Sequence, residues 1–140
     1  MGGVPVLSNQ ILHKTVQDIR EITGFECSVW DVQGSCLVRT NEKAIEMEKS
    51  VKDFCAAGKE QQISEEEGLF LICDDQEPAY VLALRGEGTQ LSLSGRMGAS
   101  QLANLILANK ERMDKNRFIQ NLLLDNLLLV DVYNQARKMK

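Results

Sequence analysis

The sequence predicts an α+β fold: one antiparallel sheet of about five strands with a crossover helix, flanked by an N-terminal helix and a long C-terminal helix. Three observations predict it. Apolar residues recur at helical spacing over 9–23 and again over 97–124. Short β-prone runs separated by turn residues fill 25–40 and 61–85. The runs 68–73 and 79–85 are almost continuously apolar, the pattern of strands covered on both faces.

The elements follow in order. Ser8 or Asn9 caps a first helix that places Ile11, Leu12, Val16, Ile19 and Ile22 on one stripe, and Gly24 stands where a left-handed cap belongs. Residues 25–31 and 35–40 form a hairpin around Val32, Gln33 and Gly34. Asn41 caps a crossover helix over 42–57, with Met47, Val51, Phe54 and Cys55 on its inner face and Gly58 ending it. Residues 61–64 are a short edge strand, and Asp74 to Pro78 form the turn between the two apolar strands. From Met97 to Leu124 the only glycine is Gly98 and there is no proline, so a long helix is expected. Roughly 30 helical residues span roughly 45 Å, longer than a small domain is wide, so part of this helix is expected to leave the body and meet a partner.

Charge is divided unevenly. Residues 1–108 hold 9 Lys/Arg against 16 Asp/Glu, a net −7, whereas 109–140 hold 7 against 4, a net +3. The acidic body argues against a nucleic-acid surface. The longest apolar stretch, Leu122 to Val130, is interrupted by Asp125 and Asn126 and is too short to span a bilayer. The start lacks the charged and apolar regions of a signal peptide, so a cytoplasmic protein is expected. Cys27, Cys36, Cys55 and Cys73 contain no CxxC pair, and His13 is the one histidine. No metal and no cofactor are expected; the cysteines read as small buried apolar residues in a reducing compartment. No nucleophile–base pair and no phosphate-binding glycine loop is legible, so no enzyme is expected.

Binding remains. Ser28 and Trp30 on one strand, Arg39 on the next, Phe54 on the crossover helix, and Tyr80 and Arg85 on the last strand are the ligand-binding candidates. An arginine among aromatics suits a small carboxylate-bearing ligand, because a guanidinium makes two parallel hydrogen bonds to a carboxylate. The same aromatics serve equally as core. Leu102, Leu105, Ile106, Asn109, Met113, Phe118, Ile119, Leu122 and Leu123 are the dimerisation candidates on the long helix, with a second copy of the chain as the partner.

The element order is the outline of PAS/GAF-like and profilin-like sensor bodies, and also of roadblock-type docking modules. The last third resembles a family. The runs 99–106 (ASQLANLI), 110–116 (KERMDKN), 118–128 (FIQNLLLDNLL) and 133–138 (YNQARK) are similar to regulators of the PucR and sugar-diacid-regulator (CdaR) type. The resemblance implies a small-molecule-sensing, dimerising domain of a bacterial transcription regulator. It also implies a separate helix from Leu127, and DNA contact only through helix-turn-helix domains outside this chain. The family's His-Glu-Gly-Ala stretch has no counterpart at Thr40 to Ala44, so no binding residue is carried over. The expected organisation is an unstructured leader at 1–7, a sensor body at 8–96 and a helical connector at 97–140. The rival expectation is a ligand-free docking and dimerisation module.

Overall fold

The computed structural model describes the backbone of residues 7–138 and the side chains of residues 7–124. The order is α1 (Asn9–Thr23), β1 (Glu26–Asp31), β2 (Cys36–Arg39), a 3₁₀ segment (Glu42–Met47), α2 (Glu48–Ala57), β3 (Gln61–Ile63), β4 (Glu67–Asp74), β5 (Glu77–Arg85) and α3 (Leu91–Lys138). The five strands form one antiparallel sheet in the order β2-β1-β5-β4-β3. The predicted α+β class and element order are therefore observed. Two compact units make up the chain: Met1–Leu107, and Ala108–Lys140, which holds the rest of α3. The 96/97 boundary read from sequence falls inside α3.

Local chemistry sets the boundaries. The Ser8 hydroxyl accepts from Ile11 N at 3.2 Å, and Gly24 takes φ +83° while its N–H donates to the Arg20 carbonyl at 2.8 Å. Asp31 Oδ1 accepts from Gln33 N and Ser35 N, both at 2.9 Å, which folds the β1–β2 turn. Asn41 caps as expected, its Oδ1 accepting from Lys43 N at 2.8 Å, but the first turns after it are 3₁₀. The β4–β5 turn is tighter than expected. Asp75 and Gln76 both have positive φ, and Glu77 and Pro78 already belong to β5, facing Asp74 and Cys73. Pro78 is tolerated there because it is the second residue of the strand, beside an irregularity in the ladder.

Alternation along the strands divides the core in two. Val29, Phe70, Ile72, Tyr80, Leu82 and Leu84 pack against Leu12, Val16 and Ile19 of α1 and Leu102 and Ile106 of α3. Trp30, Leu69, Val81 and Ala83 pack on the other face against Met47, Val51 and Phe54. Both faces are thus covered, as the unbroken apolar strands require. The start of α3 lies so close to the sheet that a Cβ on Gly95 would occupy the Phe70 ring.

Three expectations need correction. Ile22, assigned to the buried stripe of α1, is 83% exposed; Thr15 is buried instead, its hydroxyl donating to the Ile11 carbonyl at 2.8 Å. Leu7, counted with the leader, is buried and donates its N–H to the Tyr80 hydroxyl at 2.9 Å. Residues 1–6 lie outside the described residues. The separate helix from Leu127 that the resemblance implies is instead continuous helical backbone from Leu91 to Lys138.

Candidate functional site

Among the described residues, a cleft and a helix face hold side chains that the core does not use. The first is a cleft of about 280 Å³ beneath the 3₁₀ segment, over one end of β1 and β5. Its floor is Ser28 and the backbone of Cys27, whose side chain turns to the opposite face of the sheet, its far wall is Ala44 and Met47, and its rim Glu26, Asn41, Lys43 and Arg85. Pairing puts Glu26, Arg85 and Glu67 in one row across β1, β5 and β4. Arg85 Nη1 donates to Glu46 Oε2 at 3.1 Å and to the Lys43 carbonyl at 3.4 Å, and its Nε lies 4.0 Å from Glu67. Arg85 therefore ties the 3₁₀ segment to the sheet. Ser28 is buried, and its Oγ accepts from Trp30 Nε1 at 2.8 Å.

Glu26 is doubly held: Thr40 Oγ1 donates to Oε2 at 2.6 Å and Arg20 Nε to Oε1 at 2.9 Å. The Thr40 hydrogen bond, then the Arg20 bond and charge, keep its carboxyl below the usual range, against the opposing effect of partial burial. A lowered folded-state pKa contributes stability above the unfolded value that is lost as pH falls through the folded one. Thermal melts of Glu26→Gln between about pH 7 and pH 3 should show lower stability than wild type at pH 7 and a flatter acid limb. A wild-type acid limb in the variant would mean that other carboxylates carry it.

The ligand-binding candidates separate. Ser28 and Arg85 meet at the cleft. Trp30 and Phe54, each 1% exposed, fill the core under α2. Tyr80 lies on the opposite face of the sheet, holding Leu7. Arg39 is exposed on the edge strand β2. Sequence reading did not reach Asn41, Lys43, Ala44 or Met47 as cleft residues; the capping role of Asn41 was the available signal.

The second feature is the helix itself. In unit 1, Leu102 and Ile106 are buried in the chain's own core and Leu105 packs against it, so these three of the dimerisation candidates already have their cover. In unit 2, Asn109 is half-buried, while Met113, Phe118, Ile119, Leu122 and Leu123 are exposed, Phe118 at 68% and Leu123 at 57%. Phe118, Ile119, Leu122 and Leu123 sit at i, i+1, i+4 and i+5, which is one helix face. Leu93, Met97 and Leu107 are further exposed apolar residues, on the unit 1 part of α3.

All four cysteines are free. Cys27 is buried, and burial pushes its thiol well above the ordinary range; partial burial also raises the thiols of Cys36 and Cys55. Cys73, expected inside, is exposed: it lies near the end of β4, opposite Pro78 and beside the β4–β5 turn. Among the described residues no group of three metal-ligating side chains occurs. Among them, too, no helix is long and apolar enough to cross a membrane.

No protein-family model and no curated protein matches the chain. Among solved structures it is similar to MglB of Myxococcus xanthus, with a TM-score of 0.53, 9% identity, and coverage of 73% of this chain and 92% of MglB. At that identity the likeness speaks to the fold: an α+β body with a five-stranded antiparallel sheet, compatible with a roadblock-like architecture.

Proposed function

We propose that this chain is a protein–protein docking and dimerisation module of roadblock type, without enzymatic activity, whose partner is a second copy of itself. The observation that carries the proposal is the uncovered apolar row Phe118, Ile119, Leu122 and Leu123, on a chain whose sheet is already packed on both faces. The fold likeness to MglB supports it. Eight such half-exposed side chains, four from each copy, give about 6–12 kcal/mol on burial. Association costs about 4–15 kcal/mol. At the favourable end of both ranges the net is about 8 kcal/mol, so this row gives at best a concentration-dependent dimer in the micromolar range, not an obligate one. Co-expression of tagged and untagged copies tests the partner. The untagged copy should be retained on the affinity resin; its loss in the wash at micromolar protein would refute self-docking.

A second reading has one observation in its favour. The cleft beneath the 3₁₀ segment suits the sensing domain of a cytoplasmic transcription regulator of the PucR or sugar-diacid-regulator type, with DNA bound by other domains. In that reading, occupancy of the cleft biases how two copies of α3 pair.

A further inference from the structure

We infer that the cleft binds a small aliphatic monocarboxylate. The inference deepens the sensor reading and is independent of the docking reading, because the cleft lies wholly within the unit Met1–Leu107.

The polar groups on the cleft wall decide the sign of the ligand. Glu26, the one acidic lining residue, has both oxygens engaged by Arg20 and Thr40. The groups with capacity left are donors. Ser28 Oγ accepts from Trp30, and its own O–H has no acceptor among the described residues. Asn41 uses its Oδ1 as a cap, leaving the amide N–H₂. Lys43 has no ion pair among the described residues, and Arg85 Nη2 makes no hydrogen bond among them. A hydroxyl, an amide, an ammonium and a guanidinium edge on one cleft form a donor site for an anion, and the guanidinium favours a planar carboxylate.

The surroundings decide how many charges the ligand carries. Glu26, Glu46 and Glu67 flank Arg85, so a second carboxylate would meet like charge. The Arg85–Glu46 pair is exposed, and such pairs contribute little, so a ligand carboxylate displaces Glu46 at small cost. The remaining side chains of the wall are Ala44 and Met47, which offer no strong partner for hydroxyl groups. A polyhydroxylated body would bury those groups unpaired, whereas a short branched alkyl body would not. The volume of about 280 Å³ lies at the low end for ligand pockets, which fits a compact acid.

Titration of the full chain at pH 7 with 3-methylbutanoate, followed by backbone amide NMR, tests this. Saturable shifts centred on Ser28, Lys43 and Ala44, with Kd of about 1 mM or tighter, are expected. The neutral isostere 3-methylbutanamide and the diacid glucarate should each bind at least about tenfold more weakly, as should 3-methylbutanoate to Arg85→Gln. Absent, unsaturable or dispersed shifts overturn the inference. So do an amide that binds as well as the acid, and a glucarate that binds better. Should Arg85→Gln fail to fold, Lys43→Gln carries the charge test, since that side chain is exposed. A folded Lys43→Gln with unchanged Kd overturns the four-donor site. Self-association is a separate readout, so an empty cleft leaves the docking reading standing.

Discussion

Trp30→Ala should cost about 3–5 kcal/mol of folding stability, a fall in Tm of at least about 12 °C for a body of this size. Trp30 is 1% exposed and packs with Met47, Val51, Phe54, Leu69, Val81 and Ala83. That cluster is what fastens α2 and the 3₁₀ segment to the sheet, so the cavity would open under the element that roofs the cleft. The indole also donates to the buried Ser28 hydroxyl, which the alanine would leave without its donor. Trp30→Phe separates the two contributions. It keeps most of the ring volume but loses the hydrogen bond, and should cost about 1–2 kcal/mol. Chemical denaturation monitored by far-UV dichroism measures both. Equal losses in the two variants would mean that the hydrogen bond, not the packing, dominates.

The second large effect concerns a glycine in a helix. Gly95→Ala would gain about 1 kcal/mol from helix propensity at an exposed position. Here the new methyl would enter the Phe70 ring, which is 2% exposed and also lies close to Gly68. Overpacking of this kind costs about 1–3 kcal/mol, and a rigid buried aromatic belongs at the upper end. A net loss of about 2 kcal/mol is expected, partly restored by Phe70→Leu in the same chain. Gly98→Ala should cost less, because its Cβ would meet the flexible tips of Leu82 and Ile19 at 2.9 and 3.0 Å. A Gly95→Ala variant with raised Tm would contradict the close seat of α3 on the sheet.

These contacts show what the sequence carried and what it did not. Ser8, Gly24, Asn41 and Gly58 mark helix ends by chemistry that acts within a few residues, and the boundaries they set are where the sequence put them. The β4–β5 turn was less legible: its positive-φ positions are Asp75 and Gln76, and neither is a glycine. Periodicity identified the stripe of α3 but not what covers it. Leu102 and Phe118 look alike in sequence, yet one is fully buried in the body and the other is two-thirds exposed. The cleft was half legible. Strand alternation already places Tyr80 with Leu82 and Leu84, on the face opposite Arg85, so those two candidates were separable from sequence alone. Lys43 and Met47 reach the cleft only because the 3₁₀ segment lies across β1 and β5, a tertiary placement that no local pattern encodes.

The docking proposal rests on one exposed helix face, and sedimentation velocity tests it most directly. Wild type and the double variant Phe118→Asp/Leu122→Asp would be run in parallel from about 1 to about 200 μM. Neither substituted residue contributes to the body's core, so the variant should melt like wild type. Wild type should shift from monomer to dimer across that range, and the variant should stay monomeric to the highest concentration, a weakening of at least about 100-fold. A wild type that stays monomeric throughout would rule out self-docking through this face, as would a double variant that dimerises like wild type.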